Sequence, residues 1–247
     1  MELNFILALS IIVFWSSIIH GSIGFGFGMI ATPLVALYTD IQTAITYLLF
    51  PTMMVNIVSI LSNGKFFEAL KKFWFIIFLM VIGSSFGTFL LIFSNSEFFK
   101  LLLAFIILIY LAQSFIKIEA SFISKYPKSS TYGLGLVGGL LSGLTNVVAP
   151  LMIIYTLELK YSRKDTIQLS NLCFLFTKIG QLMVFLYFGS FSSETFGGSI
   201  IAVLVVLFGM FLGIKINKKI DAKFYTKILK VLLFVIACML IVQTTFY

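Results

Sequence analysis

The sequence predicts an all-α polytopic membrane protein made of two inverted repeats, each a broken or re-entrant helical hairpin followed by three transmembrane helices. Three observations carry that expectation: the composition, the length of the apolar runs, and two matching clusters of glycine and proline. Of 247 residues, 60% are hydrophobic and 11% charged, whereas a soluble domain carries about 25% charged residues. With a mean hydropathy of +1.12, the chain cannot cover itself with polar groups in water, so the bilayer is its solvent. In hydrocarbon only helices and closed barrels pair every backbone N–H and C=O. The apolar runs here lack the alternation of a lipid-facing barrel strand, so they read as helices.

Eight hydrophobic elements follow along the chain, at 4–38, 42–62, 74–93, 99–117, 131–157, 166–189, 197–215 and 227–246. The first is longer than the roughly 20 residues of one span, and it contains Gly21, Ser22, Gly24, Gly26 and Gly28 followed by Pro33. The second is a plain span, and the third carries the pair Gly83 and Gly87. The fourth ends in a linker, 119–130, that holds Pro127 and lysines and divides the chain. The fifth repeats the features of the first, with Gly138, Gly139, Ser142, Gly143, Thr145 and Asn146 ahead of Pro150. The sixth holds Lys178 near its middle, the seventh the pair Gly209 and Gly213, and the eighth closes the chain.

Glycine reaches φ > 0 freely and proline removes a backbone donor, so elements one and five are places for a helix to break. Their spacing agrees: Gly21 and Gly138 each precede their proline by twelve residues, Gly26 and Gly143 by seven. The chain therefore reads as two repeats, 1–125 and 126–247, with Gly28, Pro33 and Pro150 as helix-breaking residues.

Charge placement sets their orientation. Fourteen of seventeen Lys and Arg fall in four loops: Lys65, Lys71 and Lys72; Lys117, Lys125 and Lys128; Lys160, Arg163 and Lys164; Lys215, Lys218, Lys219, Lys223 and Lys227. If all eight elements crossed the membrane, two of these loops would lie on each side, against the positive-inside rule. If elements one and five instead enter and leave on one side, all four loops are cytoplasmic, and Glu2, Asp40, Glu97 and Glu194 are outside. Three crossings per repeat then make the repeats inverted. The first element is also long enough for a full crossing plus a half-helix.

Lys178 is the most informative residue, because a charge near the bilayer centre costs roughly 2.5 to 3.5 kcal/mol on insertion scales and usually has a functional partner. Gln168, Asn171, Lys178 and Gln181 share a helix face, and Thr46 and Asn56 take the matching places in the first half. Amides and hydroxyls there also serve as glue between helices. The breaks would expose backbone N–H groups at restarted helix N-termini, which favour an anion. The expected substrate site is therefore His20, Gly21, Ser22, Gly24, Gly26, Asn56, Ser142, Gly143, Thr145, Asn146, Asn171, Lys178 and Gln181. The pairs Gly83/Gly87 and Gly209/Gly213 instead fit close helix packing.

Other classes are disfavoured. His20 is the sole histidine and the Asp and Glu lie almost entirely at element ends, so no catalytic or metal-ligating motif forms and neither an enzyme nor a cofactor is expected. Cys173 and Cys238 sit in apolar runs without C-x-x-C spacing. The net charge of +8 is topogenic rather than a sign of nucleic-acid binding, and the basic stretches 66–73 and 215–230 suit anionic lipid as well. No cleavable signal is expected at the N-terminus. A proton coupling would have to use His20, Lys178 or the substrate, and a homodimer is compatible with the glycine faces.

The stretch 20–34, His-Gly-Ser-Ile-Gly-Phe-Gly-Phe-Gly-Met-Ile-Ala-Thr-Pro-Leu, resembles the signature of the sulfite exporter TauE/SafE family, also called the toluene sulfonate uptake permease family. Residues 138–150 lie where that family repeats its motif, although Leu144 to Ala149 lack the glycines common there. The resemblance implies a prokaryotic inner-membrane carrier for sulfite, sulfonates or related organosulfur anions. The inverted halves and their breaks themselves predict alternating access around a midplane site. The residues alone say only anion. The competing classes are an anion channel and a membrane partner or sensor subunit that binds without transport.

Overall fold

A computed structural model of the chain describes residues 3–94, 96–112, 121–216 and 222–246. Glu2, Lys117, Lys218 and Lys219, used above for topology, lie outside the described residues, as do the side chains of Lys223 and Lys227. Among the described residues every regular element is a helix: α1 (Leu3–Ile23), α2 (Phe27–Ala36), α3 (Ile41–Asn63), α4 (Phe66–Phe93), α5 (Ser96–Ala112), α6 (Ser121–Lys125), α7 (Pro127–Thr145), α8 (Ala149–Glu158), α9 (Arg163–Tyr187), α10 (Ser193–Ile216) and α11 (Ala222–Phe246). Five of them, α1, α3, α4, α9 and α10, are long and apolar enough to cross a membrane. Large exposed side chains such as Trp15, Phe78, Phe105, Phe208 and Phe234 cover the outside with apolar surface, as lipid requires. The protein is a multi-pass membrane protein.

Elements one and five each resolve into two helices. Gly24 (φ 102°) and Gly26 (φ 106°) lie in the left-handed region between α1 and α2, and Asn146 (φ 61°) occupies it after α7. Asparagine tolerates that conformation where other non-glycine residues rarely do. Gly28 and Pro33 lie inside α2 rather than at the break, whereas Pro150 sits in the first turn of α8, where its missing N–H costs nothing. The third element starts earlier than expected, because Ala69 and Phe73 turn into the core and carry α4 back to Phe66 past the exposed lysines.

Both broken elements are hairpins. In the first, Phe5 of α1 packs edge-on against Tyr47 of α3 at 5.1 Å, and at the far end His20 of α1 meets Ser59 of α3 at 2.9 Å. α1 and α3 thus run parallel, and α2 must return between them. In the second, the Tyr155 hydroxyl near the end of α8 lies 2.8 Å from Thr131 near the start of α7. The limbs are unequal, since α1 has 21 residues and α2 has 10, or about 31 and 15 Å of helix.

Each half reaches across the other. α4 packs on α7 and α9, α10 packs on α1 and α3, α3 packs on α9, and α5 packs on α11. Glycines make the closest contacts. A Cβ on Gly83 or Gly87 would strike the Leu136 and Leu140 carbonyls of α7, and one on Gly139 or Gly143 the Met80 and Ser84 carbonyls of α4. Gly209 and Gly213 pack in the same way on Phe14, Ser17 and Ile18 of α1. The glycine faces are used inside the molecule.

Asn63 at the end of α3 donates to the Lys164 carbonyl at the start of α9 (3.0 Å), while Phe50 in α3 touches Phe191 and Phe196 beyond the end of α9. α3 and α9 are therefore antiparallel. Lys72 pairs with Asp165 at 3.1 Å, Phe73 with Tyr161 at 5.6 Å, and Tyr155 with Tyr161 at 6.3 Å. Those contacts gather Lys65, Lys71, Lys72, Lys128, Lys160, Arg163 and Lys164 at one end. Asp40, which caps α3 through the Thr43 N–H (2.9 Å), and Glu194 in the first turn of α10 lie at the other.

Candidate anion site

Where the two breaks meet, a cavity of about 20 Å³ is lined by His20, Gly26, Phe27, Gly28, Met29, Thr52, Asn56, Ser142, Asn146, Val148, Ala149, Phe174 and Lys178. That is room for about one water. The breaks interlock there: the Asn146 amide donates to Thr32 of α2 (2.8 Å), and a Cβ on Gly28 would come 2.7 Å from the Asn146 carbonyl. Only a glycine lets the first turn of α2 approach so closely.

Lys178 supplies the charge. It is 1% exposed, and its ammonium donates to Gln181, one turn along α9. Gln181 in turn donates to the Gly143 carbonyl in the last turn of α7 (3.0 Å), where the helix dipole is negative. Among the described residues no carboxylate forms an ion pair with Lys178. A buried cation held by neutral oxygens alone is costly unless an anion joins it.

Facing the same cavity from α3, the Thr52 hydroxyl and the Asn56 carbonyl oxygen have no hydrogen-bond partner, though the residues are 4% and 1% exposed. Buried polar groups are rarely left so. Asn56 spends its amide on the Thr52 carbonyl (2.7 Å). One residue earlier, Pro51 cannot donate to the Tyr47 carbonyl, and Ser199 of α10 takes that place at 2.8 Å. The first turn of α2 adds free backbone N–H groups, as every helix start does.

His20 sits between this cavity and a second space. Its Nδ1 accepts from the Phe27 N–H (3.3 Å), and its Nε2 lies 2.9 Å from Ser59 Oγ and 3.1 Å from Asn171 Oδ1. Asn171 donates its amide to the Gly24 and Ile167 carbonyls, both at 2.7 Å, so its oxygen must accept. The proton therefore lies on Nε2. Beyond the contact a vestibule of about 340 Å³ is lined by Gly21, Ile23, Gly24, Ser59, Ser62, Asn63, Ile167 and Ile214. It lies at the basic end.

The geometry thus brings together His20, Gly26, Asn56, Ser142, Asn146 and Lys178 of the expected site, and it places the others elsewhere. Gly21 and Gly143 are packing glycines against α10 and α4. Ser22 bonds the Ile18 and Gly213 carbonyls, and Thr145 bonds the Leu141 carbonyl and receives the Val147 N–H, holding the second break in shape. Gly24 lines the vestibule, Asn171 lies beside it between His20 and the Gly24 carbonyl, and Gln181 stands behind Lys178. Thr52 was missed by the sequence reading, although it lies one turn from Asn56 on the same face.

No match to a curated protein and none to a solved structure was found. The model of the family described as sulfite exporter TauE/SafE matches residues 9–240, from α1 to the last turns of α11. The chain belongs to the sulfite exporter TauE/SafE family, a family of membrane transporters and not of enzymes.

Proposed function

We propose that the protein is a secondary carrier of a small sulfur-containing anion, sulfite or a small sulfonate, in a prokaryotic inner membrane. The observation that carries the reading is the cavity itself: a buried ammonium without a carboxylate faces an unpartnered threonine hydroxyl and the start of a helix. The chemistry of each part suits an oxyanion, and the surrounding helices must part to admit one, since the closed cavity holds about one water. The anion's charge pairs with Lys178, and its oxygens accept from Thr52, the second N–H of the Asn146 amide and the first N–H groups of α2.

Residues 1–125 and 126–247 act in this reading as inverted repeats, which the antiparallel course of α3 and α9 supports. The structural correspondences are consistent with one another: Gly24 with Asn146 after the first helices, Asp40 with Ser162 as N-caps, Asn56 with Lys178 at the cavity. Alternating access then rocks one half against the other about the cavity, with the basic end cytoplasmic. A cavity holding about one water does not form a conducting path, which favours a carrier over a channel.

The test is uptake of labelled sulfite and small sulfonates into proteoliposomes under an imposed pH gradient, comparing the wild type with Lys178→Gln. Saturable uptake that falls at least about tenfold in the variant, with unchanged elution on size exclusion, is expected from loss of a charged hydrogen-bond partner. Unchanged uptake in Lys178→Gln would remove the lysine from the site. Ligand binding by the wild type without any flux would instead mark a non-transporting sensor or partner subunit, and flux that never saturates would mark a channel.

A further inference from the structure

We propose that the polar knot of His20, Ser59, Asn171 and the Gly24 carbonyl is the cytoplasmic gate of this carrier, and that an anion at the first turn of α2 opens it by displacing His20. The proposal rests on the carrier reading above and adds how the site communicates with one side of the membrane.

Four observations meet at His20. It lines the anion cavity, while its partner Ser59 and the neighbouring Gly24 line the vestibule, so the knot is the wall between the two spaces. Its Nδ1 occupies the Phe27 N–H, one of the donors an anion would use at that helix start. Thr52, which lines the same cavity, has an unpartnered hydroxyl that can donate, independent evidence that the start of α2 belongs to a ligand site. The knot also ties three helices that have no covalent link nearby: α1 through His20, α3 through Ser59, and α9 through Asn171.

An anion that takes the Phe27 N–H leaves His20 Nδ1 without its donor. The ring is then free to turn, and its Nε2 bonds to Ser59 and Asn171 go with it. Asn171 keeps the tip of the hairpin only through the Gly24 carbonyl, at a glycine whose φ of 102° places a hinge beside it. A Cβ at Gly24 would meet Ile167 of α9 at 2.9 Å, so the tip is seated against α9 and moves as a unit when that contact opens. Substrate occupancy and gate opening become one event, as an alternating carrier needs in order to avoid leak.

A proton acts at the same atom. Protonated Nδ1 is a donor and cannot accept from Phe27, so acid should also loosen the knot. The charged or titratable groups on the elements packed around His20 are few. α2 and α3 carry none near it, α9 carries Lys178 in the cavity, Cys173 beside Asn171, Arg163, Lys164 and Asp165 at its start and Tyr187 at its end, α7 carries Lys128 and Tyr132 near its start, and α10 carries Glu194 and Lys215 at its ends.

The gate is tested by thiol labelling of the full chain in inside-out membrane vesicles, with Cys173 replaced by Ser and Cys238 by Ala. Ser62→Cys reports the vestibule and Ala149→Cys the cavity, each treated with a membrane-impermeant maleimide. Ser62→Cys should react rapidly and Ala149→Cys about tenfold more slowly. Adding Asn171→Ala or the milder Ser59→Ala should bring the Ala149→Cys rate up toward that of Ser62→Cys, as should methanesulfonate. Lowering the pH should raise the ratio of the Ala149→Cys rate to the Ser62→Cys rate, a ratio in which the slowing of maleimide addition by loss of thiolate cancels, and His20→Gln, which keeps a donor and an acceptor but does not titrate, should abolish that acid response.

An Ala149→Cys rate that is the same with and without Ser59→Ala or Asn171→Ala overturns the gate. So does an acid response that persists in His20→Gln. Because the latch variants open the cavity without any ligand, absence of transport in the wild type would sink the carrier reading without touching these arms, and failure of these arms alone would sink the gate.

Discussion

Thr52 and Lys178 face one cavity from opposite halves of the chain, and their roles separate on substitution. Thr52 has no partner for its hydroxyl, so replacing it by an isosteric valine removes nothing from the fold. Thr52→Val should leave the thermal unfolding of the detergent-solubilised protein unchanged and weaken the apparent affinity for substrate about tenfold, the worth of one hydrogen bond to a charged group. Equal saturation curves for the two proteins would show that no ligand oxygen reaches Thr52. Lys178 was legible in the sequence because a charge in the middle of an apolar run has few explanations. Thr52 was not, because a threonine in such a run is ordinary, and only the absence of a partner in three dimensions singles it out.

At the scale of the helices, the glycines divide by what they do, and their substitution should sort them. Gly26 has a left-handed φ and open space around it, so Gly26→Ala carries only a backbone cost of about 1 to 2 kcal/mol. Gly87 and Gly143 face each other's backbone, and Gly87→Ala forces α4 away from α7 at about 1 to 3 kcal/mol or more. Gly133 has neither constraint, and Gly133→Ala should stabilise α7 by about 0.5 to 1 kcal/mol. Thermal unfolding in one detergent measures all three, and a Gly133→Ala loss as large as that of Gly87→Ala would contradict the packing scheme. The hydrophobic elements and their two breaks were readable from apolar length and from glycine and proline. The register of the breaks was not. Matching the prolines aligned Pro33 with Pro150, yet Pro33 is inside α2 and Pro150 opens α8, because left-handed residues at Gly24 and Asn146, not the prolines, end the preceding helices.

For the whole molecule, the decisive question is which loops share a side. Lys125→Cys and Lys164→Cys should both react with an impermeant reagent from the cytoplasmic face, and Glu97→Cys and Ser190→Cys only from the other. Reaction of Lys125 and Lys164 variants from opposite faces would mean that α7 and α8 together cross the membrane, and the hairpin reading of that element would fall. The same arrangement predicts that each half cannot hold its shape alone, since α4 and α10 find their closest packing on the other half.

The sequence by itself determined the solvent, the helical class, the two breaks, the gathering of basic loops and the family resemblance, because each follows from local composition or from spacing along one helix. Only the tertiary structure decided which polar residues meet. His20, Ser59 and Asn171 lie far apart in the chain, and six of the thirteen expected site residues line the cavity where the breaks meet. Helical periodicity fixes the face on which a residue lies, but which helix covers that face depends on how the two halves cross.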